Sequence, residues 1–166
     1  ELARASGIHV PFHRLLGAGP WFAVQRFDRK SGNRRLHMHT LGGLLHSDFR
    51  IPACDYDQLF RVARALTRDR RAVVECFRRM VFNVAAHNRD DHVKNFAFLM
   101  DEVGEWTLSP AYDLVFSRGP GGEHSMTIDG EGRAPNAEQC TELGRRHGVS
   151  AQEAKAVIEQ VDRKST

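Results

Sequence analysis

The stretch Arg70-Arg-Ala-Val-Val-Glu-Cys-Phe-Arg-Arg-Met-Val-Phe-Asn-Val-Ala-Ala-His87 decides the fold of this chain. Its apolar side chains recur at the spacing of a helix that packs one face against a core. The apolar stripe consists of Val73, Phe77, Met80, Val81 and Val84. We therefore expect a long buried helix over about 70–87, with its arginine pairs at 70–71 and 78–79 on a solvated face. The stripe alone predicts core packing and no particular activity.

Shorter helices are predicted on both sides of this core helix. From about residue 36 the pattern becomes helical, Pro52 interrupts it, and Asp55 or Asp57 can cap the helix that follows. Four segments have the capping residues or apolar spacing of helices, at about 40–46, 55–66, 137–146 and 150–161.

Apolar and β-branched segments flanked by turn residues predict strands. They lie at 12–16, 21–27, 96–99, 106–108 and 125–128. The first two should form a hairpin around a Gly- and Pro-containing turn at 17–20, and the next two a second hairpin. The predicted fold class is α+β and mostly helical. Because an isolated hairpin is marginal in water, we expect the first one to need further strands.

Composition favours a soluble, cytoplasmic protein. The 166 residues are 41% hydrophobic and 27% charged, which is ordinary for a globular domain. The chain has no apolar run of membrane-span length and no signal-peptide pattern. Its three cysteines, at unrelated spacings, predict neither a disulfide framework nor a zinc motif. A net charge of +3 is too small to imply direct nucleic-acid binding.

One polar segment carries the candidate chemistry. His87-Asn-Arg-Asp-Asp-His-Val-Lys-Asn95 is polar at every position except Val93, although it lies between a core helix and an apolar strand. A plain polar loop is one interpretation. However, Asp90 and Asn95 have the Asp-x-x-x-x-Asn spacing of the catalytic loop of protein kinases. In that loop the Asp accepts the proton of the substrate hydroxyl and the Asn holds Mg²⁺.

A second carboxylate is needed to complete such a metal site, because Mg²⁺ prefers carboxylate and amide oxygens. Asp113 follows Asn95 by 18 residues, just beyond the hairpin over 96–108. In protein kinases a hairpin likewise separates the catalytic loop from the metal-binding Asp. We expect Asp90, Asn95 and Asp113 to converge on one pocket, and Asp91 to point away from it.

These motifs resemble those of the HipA-like serine/threonine kinases, the toxin components of bacterial toxin–antitoxin pairs. The resemblance rests on Asn88-Arg-Asp-Asp-His-Val-Lys-Asn-Phe96 together with Leu108-Ser-Pro-Ala-Tyr-Asp-Leu114. It extends to Val24-Gln-Arg-Phe-Asp-Arg29, to Arg35-Leu-His-Met-His-Thr-Leu41 and to Ser125-Met-Thr-Ile-Asp-Gly130. Nearly the whole chain is covered.

The resemblance implies ATP and Mg²⁺ as cofactors and a role for each matched position. Asp90 matches the catalytic base, and Asn95 with Asp113 the Mg²⁺ ligands. Gln25 and Phe27 match the hinge whose backbone meets adenine, although many relatives have an acid in place of Gln25. The positions implied to bind the nucleotide or its metal are Gln25, Phe27, His92, Lys94, Asn95, Tyr112 and Asp113.

The resemblance also implies an architecture and partners. Residues 1–28 match the end of a kinase N-lobe with its hinge, and 29–166 match a helical C-lobe. The family's phosphate loop and N-lobe Lys are expected upstream of the hinge, so we expect residues 1–166 alone to be inactive. Partners implied by the family are a helix-turn-helix antitoxin and a protein substrate, such as a translation-related enzyme.

Two alternatives remain open from the residues. His87, Asp90, Asp91 and His92, with His37 and His39, could ligate a transition metal in a hydrolase, although their spacing matches no known zinc motif. Alternatively, the chain could be a non-catalytic interaction module, a pseudokinase-like scaffold that binds an antitoxin partner.

Overall fold

Six helices and seven short strands form the chain in a computed structural model, which describes residues 1–17, 21–48 and 54–165. The helices are α1 (Leu2–Ala5), α2 (Leu41–Leu45), α3 (Tyr56–Thr67), α4 (Arg70–Ala85), α5 (Ala137–Arg146) and α6 (Ala151–Ser165). The strands are β1 (His13–Leu16), β2 (Trp21–Val24), β3 (His37–Thr40), β4 (Cys54–Asp55), β5 (Ala97–Met100), β6 (Trp106–Leu108) and β7 (Met126–Thr127). The predicted class, α+β and mostly helical, is confirmed.

Helix α4 is the centre of the core, as its apolar stripe predicts. Phe77 and Met80 are fully buried, and Val81 is buried as well. Helices α3, α5 and α6 all pack against α4. The approach of α5 is so close that a Cβ at Gly144 would lie 2.8 Å from the ring of Phe77. A glycine is therefore required at that crossing.

Two of the four arginines of α4, Arg78 and Arg79, are not on a solvated face, so the prediction was wrong for them, whereas the other two are exposed as expected. Arg79 is buried: its Nε donates to Glu75 at 3.0 Å, and its second terminal nitrogen donates to the backbone oxygen of Ser109 at 2.7 Å. Arg78 is partly buried and donates to Gln160 of α6 at 2.6 Å. A guanidinium is tolerated inside a protein only when charge and hydrogen bonds compensate for lost water, and these partners provide both.

Side chains at the helix starts satisfy the exposed backbone N–H groups. Asp55 caps α3 in a reciprocal arrangement with Gln58, and Asn136 caps α5 in the same way with Gln139. The predicted boundaries of these two helices are confirmed within the usual uncertainty. The predicted stop at Pro52 lies outside the described residues.

The strands form three small sheets. Strands β1 and β2 are an antiparallel hairpin, β3, β5 and β6 form an antiparallel sheet in the order β3-β5-β6, and β4 pairs in parallel with β7. Both predicted hairpins are confirmed, whereas residues 18–20 of the first turn lie outside the described residues.

Strand β3 corrects the prediction that the chain is helical from about residue 36. His37–Thr40 pairs with β5 along its whole length, and α2 begins only after Thr40, whose Oγ1 accepts from the N–H of Gly43. The segment is short, and only the hydrogen bonds to β5, which is distant in sequence, make it a strand.

We predict that Phe77→Ala lowers the free energy of unfolding by about 3–5 kcal/mol, because it removes a fully buried aromatic ring and leaves a cavity. Urea denaturation measures the change. Val103→Ala is the matched control: Val103 is 80% exposed, so its loss should change stability by less than about 0.5 kcal/mol. Equal effects of both variants would contradict the position of α4 in the core.

Candidate functional site

The polar segment after α4 forms a loop with Asn95 folded back onto its start. Asn95 Nδ2 donates to the backbone oxygen of Asp90 at 2.8 Å, and the N–H of Asn95 donates to the carbonyl of His92. Because the amide nitrogen is used in this bond, Oδ1 is the side-chain atom of Asn95 that could ligate a metal. The loop is therefore held together by its own side-chain and backbone hydrogen bonds.

Asp90 is the accessible carboxylate of this loop. Its side chain is 45% exposed, and its Oδ1 lies 3.8 Å from Nε2 of His92. Such a carboxylate can be approached by a hydroxyl group from solvent while the backbone around it stays fixed.

A second segment brings Tyr112 and Asp113 to the loop. The phenol of Tyr112 donates to the backbone oxygen of Lys94 at 2.5 Å. The ring of Phe27 lies 5.6 Å from that of Tyr112, which joins the predicted hinge to the same place. Asp113 follows with a φ of +55° and an exposed side chain. A left-handed φ is uncommon for a non-glycine residue and is better tolerated by Asp than by most.

Backbone and side-chain bonds fix the path of this second segment. The N–H of Ser109 donates to Ala97 in β5, and the N–H of Ala111 donates to His9. The buried guanidinium of Arg79 holds the carbonyl of Ser109. Three parts of the fold thus set where the chain arrives at Tyr112 and Asp113.

A cavity of about 500 Å³ opens between the β1–β2 hairpin and this segment. Val24 and Phe22 line it from the hairpin, and Tyr112 and Asp113 line it from the opposite side. Gln25 lies at the end of the hairpin, where its N–H donates to the carbonyl of Phe12 at 2.8 Å. A backbone contact between Gln25 and a base would therefore use the carbonyl oxygen of Gln25.

The structure thus places these predicted site residues on one loop and on the segments that Tyr112 joins to it. One loop holds Asp90, His92 and Asn95, and Tyr112 connects Lys94 of that loop with Phe27 and Asp113.

Asp91 points into the protein, away from the side on which Asp90 is exposed. Its carboxylate is buried and accepts hydrogen bonds from the phenol of Tyr56, from His124 and from the backbone N–H of Ser125. Burial and the charge of Asp91 raise the pKa of Tyr56 well above its usual range, so the phenol keeps the proton that it donates. The sequence did not predict this network, because its members are spread over 70 residues and have no motif spacing.

The structure does not support the transition-metal alternative. Within residues 1–17, 21–48 and 54–165, no group of three or more His, Cys, Asp or Glu side chains is placed to hold a metal ion. Asp91, one of the proposed ligands, is committed to the buried network. In the same part of the chain, no helix is both long and apolar enough to cross a membrane.

Comparisons with known proteins identify the family and the fold of the chain. The model of the HipA-like C-terminal domain family matches residues 1–166. A Haemophilus influenzae protein described as a "putative kinase" is 26% identical over 103 residues, which are 57% of this chain and 30% of that protein. A chain in the Shewanella oneidensis MR-1 toxin–antitoxin complex of HipA, HipB and operator DNA has a TM-score of 0.79. That match covers 99% of this chain and 45% of the other at 23% identity, which shows a shared fold. The chain spans less than half the length of either relative.

We predict that neither of the two tyrosines of the folded chain ionises near pH 10. Burial raises the pKa of Tyr112 to about 12, against the smaller lowering effect of Arg79. Burial also raises the pKa of Tyr56 well above its usual range. Because the folded pKa lies above the unfolded one, the resulting stabilisation is complete below about pH 10 and is lost as the pH rises toward 12. Near-ultraviolet phenolate absorbance measures the titration. The urea-unfolded chain should titrate near pH 10, and the same midpoint in the folded chain would contradict the burial of both rings.

Proposed function

The chain belongs to the HipA-like C-terminal domain family, and from this premise we propose that it is the catalytic lobe of a serine/threonine protein kinase. The proposed reaction moves the γ-phosphoryl group of ATP to a hydroxyl oxygen of a protein substrate and releases ADP. The observation that carries the proposal is the loop in which Asn95 is bonded back to Asp90 and which Tyr112 ties to the segment of Asp113.

Each residue has a task that its position supports. Asp90, the half-exposed carboxylate, would orient the substrate hydroxyl and accept its proton as the phosphoryl group arrives. His92 and Lys94 lie in the same loop and would contact the nucleotide. Phosphoryl transfer requires positioned charge more than covalent chemistry, and this is what a loop fixed by internal hydrogen bonds provides.

The donor set fits Mg²⁺. Asn95 Oδ1 and the carboxylate of Asp113 are hard oxygen ligands of the kind Mg²⁺ prefers, and two such ligands leave room for waters and phosphate oxygens. A bound Mg²⁺ would neutralise the charge that develops on the phosphates. Tyr112 supports Asp113 by anchoring its segment to Lys94.

The nucleotide would be held where the hairpin meets the segment of Tyr112. We propose residues 1–28 as the end of an N-lobe with its hinge and residues 29–166 as the C-lobe. The carbonyl of Gln25 and the backbone of Phe27 would meet the adenine. The cavity supports this arrangement because Val24, the neighbour of Gln25, and Asp113 both line it.

Partners and location follow from family membership. We propose a helix-turn-helix antitoxin as the regulatory partner, a translation-related protein as the substrate, and the cytoplasm as the site of action. Co-expression of the full-length product with a helix-turn-helix protein of the same operon, followed by size-exclusion chromatography, tests the first of these. Separate elution of two folded proteins would count against it.

We predict that Asp90→Asn in the full-length protein abolishes phosphoryl transfer but leaves ATP binding largely unchanged, because the carboxylate acts on the hydroxyl and the nucleotide has other contacts. Asp113→Ala should lower both Mg²⁺-dependent ATP affinity and turnover, since it removes a metal ligand. Transfer of labelled γ-phosphate and calorimetric ATP titration measure the two quantities.

Asp101→Asn is the matched control, because Asp101 is an exposed Asp in the β5–β6 turn. It should leave both quantities at the level of the unsubstituted protein. Phosphoryl transfer that persists in Asp90→Asn would overturn the assigned base. A full-length protein that binds its antitoxin but transfers no phosphate would favour the non-catalytic scaffold.

A further inference from the structure

Two adjacent carboxylates lie in opposite environments. The side chain of Asp90 is 45% exposed, whereas that of Asp91 is fully buried. The two residues share a peptide unit, so any force that fixes Asp91 also restricts the orientation of Asp90.

The carboxylate of Asp91 accepts three hydrogen bonds inside the protein. Oδ2 accepts from the phenol of Tyr56 at 2.7 Å and from Nδ1 of His124 at 2.9 Å. Oδ1 accepts from the N–H of Ser125 at 2.9 Å. An ionised carboxylate can only accept, so the Nδ1 of His124 carries its proton toward Asp91. These donors come from the start of α3 and from the segment before β7.

A second tier of bonds extends this network to α4. Tyr56 accepts from Nδ2 of Asn83, and Oδ1 of Asn83 accepts from Nδ2 of Asn88, at 2.9 and 3.0 Å. Asn83 and Asn88 are both buried. The network therefore joins the end of α4, the start of α3 and the loop in one connected set of hydrogen bonds.

Ser125 extends the network to Arg89, the residue that precedes Asp90. Its Oγ donates to the backbone oxygen of Arg89 at 3.0 Å, and its N–H lies 3.2 Å from the same oxygen. Residues 88, 89 and 91 are thus anchored by buried or partly buried bonds, while the side chain of Asp90 is 45% exposed.

From this geometry we propose that Asp91 is a positioning residue for phosphoryl transfer, acting through the Tyr56–Asp91–His124–Ser125 network to hold Asp90 in its reactive orientation. The proposal rests on the function proposed above and deepens it, since it names what fixes the base. It also gives His124 and Ser125 a role in the site, because their hydrogen bonds hold the loop from a segment other than α4.

Two substitutions in the full-length protein test the proposal. Asp91→Asn replaces the acceptor Oδ2 by a donor, or turns the amide so that Ser125 loses its acceptor. Tyr56→Phe removes one hydroxyl and keeps the ring that packs edge-on against Phe60 and Phe96. Leu143→Ala is the control: it removes a fully buried side chain from α5, which has no residue in the network.

The measurement is kcat and KM for Mg²⁺-ATP per nucleotide-binding site, below the melting temperature of every variant. We expect Asp91→Asn to lower kcat on the order of 10- to 100-fold with little change in KM, because a small misplacement of a catalytic group has effects of this size. Tyr56→Phe should give a smaller fall of the same kind. Leu143→Ala should lower the melting temperature and leave kcat per site unchanged.

The outcomes separate this proposal from the function on which it rests. Full kcat in both Asp91→Asn and Tyr56→Phe, with Asp90→Asn inactive, would overturn the positioning role and leave the kinase assignment intact. Should Asp91→Asn not fold, Tyr56→Phe decides alone. If kcat falls as much in Leu143→Ala as in Tyr56→Phe, the network stabilises the fold and has no specific effect on the position of Asp90, which would overturn the proposal. A full-length protein without any phosphoryl transfer would overturn both.

Discussion

Burial of the apolar face of α4 is the constraint from which the position of the site follows. Once Phe77 and Met80 are in the core, the end of the helix is fixed, and with it the point where the polar loop begins. The same burial takes Arg79 out of water, so its guanidinium must find partners inside the protein. It finds Glu75 on its own helix and the carbonyl of Ser109 on the segment that leads to Asp113. A charge buried in the core thus helps to place a residue at the surface.

Two segments form the site, and each is held in place by its own set of contacts. Residues 88–95 are held by the network around Asp91, whereas residues 109–113 are held by Arg79 and by backbone bonds to β5. One contact that joins them is the bond from Tyr112 to the backbone oxygen of Lys94. Separate support of the two segments suits the proposed site, which would hold a metal and a nucleotide between them.

Local periodicity and motif spacing predicted what depends on short stretches of sequence. The stripe from Val73 to Val84 predicted the core helix, and the short apolar runs on either side of residues 101–105 predicted the β5–β6 hairpin. Both depend on neighbours within a few turns of chain. Features that depend on distant partners were missed. Strand β3 exists through its pairing with β5, and a partner that compensates for the burial of Arg79, the carbonyl of Ser109, lies 30 residues away. Helix α4 carries polar residues on its buried side, which a hydrophobic pattern assigns to solvent.

The buried network also explains how one loop can carry two neighbouring carboxylates. Placed side by side in solvent, both would compete for the same cations and the same hydroxyl groups. The fold removes this ambiguity by giving Asp91 three donors and no access to solvent, so that its lone pairs are committed inside the protein. Asp90 is left as the carboxylate that a substrate can reach, on a backbone that its neighbour holds still. The difference between the two residues is therefore made by Tyr56, His124 and Ser125, since the side chains of Asp90 and Asp91 are chemically identical.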